Sequence, residues 1–130
     1  MNALEVMAEC GRRGIELRAT AHRLEWRPAD AVAGELLEAL TAHRREVAAE
    51  LRRDAAVADA WERLRELYAR AGQPAGWLTA DVRTAEHHVE VLWRSARERP
   101  DDDPRFYGAL ARWERIAAAT IESAADEARP

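Results

Sequence analysis

The feature that most constrains the fold is a double change of hydrophobic period within the first 53 residues. Leu4, Met7, Ala8 and Ile15 mark out a first helix by apolar spacing, and Gly11 and Gly14 supply the permissive backbone at which it is expected to stop, around Arg13 or Gly14. From Ile15 the period becomes two. Ile15, Leu17 and Ala19 alternate with Glu16 and Arg18, then Leu24 and Trp26 alternate with Arg23, Glu25 and Arg27, which predicts a hairpin with one apolar face. Residues 20–22 lack the Asn-Gly signal of a tight turn, so the pattern leaves the hairpin register open. Pro28 closes the second strand because it has no N–H to donate to a ladder. The helical period then returns through Val32, Leu36, Leu37, Leu40, Val47 and Leu51, with Asp30 as the expected N-cap. That stretch reads as one helix or two, with Gly34 and Thr41 as its weak points.

The expected organisation is a unit over residues 1–53 and a helical unit over residues 54–130. After Asp54, Val57, Trp61, Leu64 and Tyr68 form a further amphipathic stripe, which Gly72 and Pro74 close. Thr79 or Asp81 caps a helix carrying Val82, Val89, Leu92 and Trp93. Asp101 to Asp103 and Pro104 introduce a last helix with Phe106, Leu110, Trp113, Ile116 and Ile121. The second half is thus a helical hairpin or a three-helix unit. Trp61, Trp93 and Trp113 each fall on the apolar face of their own helix, which reads as aromatic anchors of a shared core rather than a ligand cage. The fold class is α+β and mostly helical.

Composition narrows the functional classes. All 20 basic residues are Arg, and the net charge is −4. Residues 1–53 hold nine Arg against nine Asp/Glu, and residues 54–130 hold 11 against 15, so the basic surplus of a duplex-binding protein is missing. The single cysteine, Cys10, forms no intramolecular disulfide or Cys-rich zinc site; it lies on an apolar helix stripe, and a cytoplasmic setting is expected. No apolar run approaches the ~18 residues of a membrane span and no signal-peptide pattern opens the chain, so a soluble protein is expected.

The candidate chemistry is sparse. Glu86, His87, His88 and Glu90 form the densest polar cluster, but zinc helices place two His at i and i+4, whereas these are adjacent and point about a quarter turn apart. A solvated helix face accounts for them. The Asp101 to Asp103 run lacks the further oxygen ligands and the Gly of a calcium loop, and reads as negative charge favoured at a helix N-terminus. His43 continues the stripe from Leu40 to Val47 and reads as a core or interface histidine. Thr20, Thr41, Ser95 and Ser123 have no nucleophile-elbow or glycine-rich context. No catalytic residue, metal ligand or cofactor is expected, and the chain is read as a non-enzyme.

Three blocks in the first unit carry a resemblance. They are Cys10-Gly11-Arg12-Arg13-Gly14-Ile15-Glu16-Leu17, then Arg23-Leu24-Glu25-Trp26-Arg27-Pro28, then Leu36-Leu37-Glu38-Ala39-Leu40-Thr41-Ala42-His43-Arg44-Arg45-Glu46-Val47 running to Leu51. In this order they resemble the TubC-like N-terminal docking domain of nonribosomal peptide and polyketide synthetases, over about two fifths of the chain. The resemblance implies an αββαα unit, usually homodimeric, whose exposed hairpin captures a short C-terminal segment of a partner. It places partner binding on Glu16, Arg18, Arg23, Glu25 and Arg27, with Leu17, Leu24 and Trp26 supporting the hairpin. Three guanidinium groups suit an acidic peptide tail, since Arg grips carboxylates bidentately. The bland alternative is that these five charges are the solvated face of an amphipathic hairpin. The condensation motif of paired His followed by Asp-Gly is absent, His87-His88 being followed by Val89-Glu90-Val91. The expected role is therefore a free-standing adaptor with no membrane partner.

The rival expectation, from another class, is a nucleic-acid-associated accessory protein of a plasmid or phage replication system, using the same Arg residues on phosphates. The acidic total and the lack of a recognition-helix motif stand against it.

Overall fold

The computed structural model describes residues 1–97, 99 and 103–130. Among them are five α-helices and one two-stranded antiparallel hairpin, an α+β, mostly helical chain. α1 spans Ala3–Arg12 and opens on Asn2, whose Oδ1 accepts from the Glu5 N–H at 2.9 Å. It closes in a Schellman turn: Gly14 takes φ +68° and the Ile15 N–H reaches back to the Cys10 carbonyl at 2.8 Å. That turn converts helix to strand within three residues. β1 (Glu16–Ala19) and β2 (Leu24–Arg27) follow, then a single 3₁₀ turn (Ala29–Ala31), α2 (Gly34–Ala42), α3 (Arg44–Arg70), α4 (Ala80–Ala96) and α5 (Pro104–Glu127).

Three local expectations need correction. Asp30 caps no α-helix: it lies in the 3₁₀ turn, and α2 begins behind Ala33, which offers no side-chain cap, with Gly34 at φ +60°. The break in the long helical stretch falls at His43 rather than at Thr41. There the His43 N–H closes α2 on the Ala39 carbonyl at 3.0 Å while the His43 carbonyl accepts from Val47 at 2.9 Å and opens α3. His43 is accordingly the junction between the two helices and is only partly buried; its ring Nδ1 sits 3.1 Å from Glu46 Oε2, both side chains about a quarter exposed. Nor does a helix start after Asp54, because α3 continues through it without interruption. Good helix formers on both sides of Asp54 leave no capping or breaking residue there.

The chain divides into two compact units, Met1–Ala55 with Arg97–Asp102, and Ala56–Ala96 with Asp103–Pro130. In the first, Val6 and Cys10 of α1 meet Ile15, Leu24, Leu36 and Leu40 and the start of α3 at Val47. Leu17 and Trp26 pack against this core from the hairpin, half-buried. Glu50 and Arg53 are also buried here, joined by a 2.8 Å ion pair, and Arg97 approaches Glu50 at 3.6 Å.

In the second unit α4 and α5 pack along each other, with the C-terminal part of α3 completing a core of Leu64, Val82, Val89, Phe106, Trp113 and Ile121. Trp61 and Trp113 meet edge to face with ring centroids 4.9 Å apart, and Trp93 lies 6.1 Å from Phe106. α3 ends as α1 does, with Gly72 at φ +85° and the Gln73 N–H bonded to the Tyr68 carbonyl at 2.9 Å. Thr79 Oγ1 accepts from the Val82 N–H at 3.4 Å at the head of α4. At the head of α5 Asp103 accepts from the Arg105 N–H at 3.0 Å and Pro104 occupies the first turn, where a missing N–H costs nothing. No described helix is long and apolar enough to cross a membrane.

Candidate functional site

The hairpin is built by two constraints that act at its opposite ends. At the base, the Schellman turn at Gly14 aims β1 away from α1. At the tip, a four-residue loop is tied by Thr20: its N–H donates to the Arg23 carbonyl at 2.8 Å, and its hydroxyl oxygen accepts from the N–H of Arg23 at 3.1 Å and of His22 at 3.4 Å. Short polar side chains close turns in this way without glycine. The register pairs Glu16 with Arg27, Leu17 with Trp26, Arg18 with Glu25 and Ala19 with Leu24.

This register sorts the side chains by face. Leu24 is buried in the core of the first unit, and Leu17 and Trp26 are half-buried against it. Glu16, Arg18, Glu25 and Arg27 are exposed and, together with Trp26, line a shallow depression of about 60 Å³. Arg23 stands just before β2, 76% exposed, with Nε 4.0 Å from Glu25 Oε1. Opposite charges therefore face each other across the strands, Glu16 against Arg27 and Arg18 against Glu25, an arrangement that favours the register. Among the described residues neither of these cross-strand pairs closes to an ion pair, so the carboxylates and guanidinium groups keep their hydrogen-bonding capacity outward.

The sheet has two strands and no third among the described residues, so each strand has one edge not occupied by a neighbouring strand. Local pattern alone does not reveal Arg52. From α3 its Nη1 donates to the Thr20 carbonyl at 3.2 Å, across 32 positions of sequence, and holds the hairpin tip against the helix. Only the Arg-rich end of the α3 stripe, Arg52-Arg53, hints at it, and no spacing rule connects it to the turn.

The other candidates are placed as follows. Among the described residues no group of three or more His, Cys, Asp or Glu is close enough to hold a metal ion. Asp101 and Asp102 lie outside the described residues; Asp103 caps α5 and also accepts from the Arg105 guanidinium at 2.9 Å. Cys10 is fully buried, and desolvation raises its thiol above the ordinary 9.0. In comparisons with known proteins, no family model, curated protein or solved structure matches the chain.

Proposed function

We propose that the chain is a non-catalytic interaction module, an adaptor of the docking type, which captures a short acidic peptide tail of a partner protein at the hairpin. The observation that carries this reading is a two-stranded ribbon tied at base and tip, with an exposed charged face and one edge of each strand not occupied by a neighbouring strand. A guest strand satisfies backbone donors and acceptors along an edge, and alternate side chains then test its sequence. Arg18, Arg23 and Arg27 receive the carboxylates of the tail, with Glu16 and Glu25 rejecting an acidic residue at the wrong register. In this proposal the module acts as a cytoplasmic homodimer. Met1 and Leu4 at the start of the chain and Leu37 on α2 stay exposed and offer apolar surface to a second copy.

The test compares wild type with the combined Arg18→Glu, Arg23→Glu and Arg27→Glu variant in nuclease-treated native lysate, read by mass spectrometry, with circular dichroism to confirm folding. A protein retained by wild type and lost by the folded variant, and then bound as a synthetic peptide of its own C-terminus, supports docking. Equal retention by both removes the hairpin as the binding surface. Binding lost on nuclease treatment, with a steep logarithmic salt dependence, points instead to phosphate contacts.

A further inference from the structure

The second unit contains a pocket with unspent binding capacity. It measures about 160 Å³ and is lined by Trp61 of α3, Glu86, Val89, Glu90 and Trp93 of α4, and Trp113 of α5, among others. Three features meet in it. Three indoles form its wall, two of them, Trp61 and Trp113, inclined at 64° so that different aromatic surfaces are offered from neighbouring directions. The indole Nε1 atoms of Trp93 and Trp113 are buried and have no hydrogen-bond partner among the described residues; Trp113 as a whole is only 3% exposed. Buried indole N–H groups ordinarily find an acceptor. Glu86 and Glu90 stand one helical turn apart on the same face of α4, and neither closes an ion pair among the described residues.

These features exclude ligands. The carboxylates reject an anion. The aromatic wall favours a weakly hydrated organic cation over a strongly hydrated metal ion, because indole faces attract cations most when both surfaces shed water. The volume is close to that of an engineered cavity that accommodates benzene, so the guest has only about six to eight heavy atoms. The geometry points to a binding site for a small organic ammonium ion, whose cationic head lies against the indoles and near Glu86 and Glu90.

The probe is choline, added to the full chain at constant chloride, with 3,3-dimethylbutan-1-ol as its uncharged isostere. Binding is followed by tryptophan fluorescence and by the indole N–H resonances in a ¹H–¹⁵N spectrum. The expected result is a saturable response to choline that shifts the Trp93 and Trp113 indole signals and leaves Trp26 unmoved. The isostere binds at least about tenfold more weakly, and so does choline to the folded Glu86→Gln, Glu90→Gln double variant. Both substitutions are near-isosteric and lie outside the buried core, so the fold is retained. No saturable response to choline overturns the proposal. So does a response matched by the isostere, undiminished in the double variant, or centred on Trp26.

Discussion

Arg63 on α3 grips Glu114 on α5 through two parallel hydrogen bonds, Nε to Oε2 and Nη2 to Oε1, each 2.7 Å. This is the fork-to-carboxylate geometry that Arg makes better than Lys. It holds the Glu114 carboxyl below its ordinary 4.5, the hydrogen bond from Arg63 being the first cause and partial burial opposing it.

A depressed carboxyl is a stability term with a definite sign. The contribution is complete above the unfolded value of 4.5 and is lost as pH falls through the lower folded value. Since Arg63 is 59% exposed, solvent screening keeps the contribution of the pair small. Glu114→Gln should therefore be slightly less stable than wild type near neutral pH, and the gap should narrow as pH falls below 4.5 through the lower folded value. Urea titrations of both proteins across this range decide it; a gap independent of pH sinks the assignment.

The buried pair Glu50–Arg53 predicts an asymmetric response. Removing Glu50 strands a guanidinium that is 0% exposed, at a cost of about 3–5 kcal/mol. Removing Arg53 leaves Glu50 with Arg97 at 3.6 Å and also deletes two guanidinium nitrogens, Nε and Nη1, that make no hydrogen bond among the described residues. Arg53→Met should cost less than half as much as Glu50→Ala, and Glu50→Leu with Arg53→Met should lie nearer wild type than Glu50→Ala does. Equal losses in the two single variants, measured by denaturant midpoint, would contradict this account.

Thr20 predicts a hydroxyl-dependent hairpin. Thr20→Val keeps the β-branched shape and the backbone bond to Arg23 but deletes the hydroxyl contacts with His22 and Arg23. The expected loss is about 1 kcal/mol, with Thr20→Ser close to wild type. Amide exchange at His22 and Arg23 should quicken in the valine variant alone. Unchanged exchange at both positions would show that the tip does not depend on the hydroxyl.

Cys10 should behave as an opening reporter. Its side chain is fully buried and its thiol raised, so thiolate is scarce in the native state. An aromatic disulfide reagent at mildly alkaline pH should label the native chain at least about 100-fold more slowly than the denatured one, at a rate set by local unfolding. Fast native labelling would place Cys10 outside the core.

What the sequence discloses about this fold follows from the range over which each signal acts. Gly14, Pro28 and Asp103-Pro104 act on their own backbone or the next turn, so helix ends and the strand end are legible at those positions. The alternation of Leu17 and Trp26 with charged neighbours likewise declares a hairpin, because a period of two admits few other backbones. Asp30 misleads because a good capping residue is only an opportunity: the chain uses a 3₁₀ turn there and starts α2 at a glycine instead. His43 is hidden by lying in register with the apolar stripe on either side. The charged hairpin face could be listed in advance, but its register, the Arg52 anchor and the meeting of Glu86 and Glu90 with three indoles are set by contacts between distant segments. No periodicity encodes those.

The tip of the hairpin has a practical corollary. Its closure runs through the main chain and the Thr20 hydroxyl, so the side chains of Ala21 and His22, both exposed, make no hydrogen bond in it among the described residues. These two positions are where a fluorophore, a photo-crosslinker or a short tag can be grafted while leaving the strand register undisturbed. The ribbon thus carries its own attachment point for reporting, in real time, whatever comes to lie alongside it.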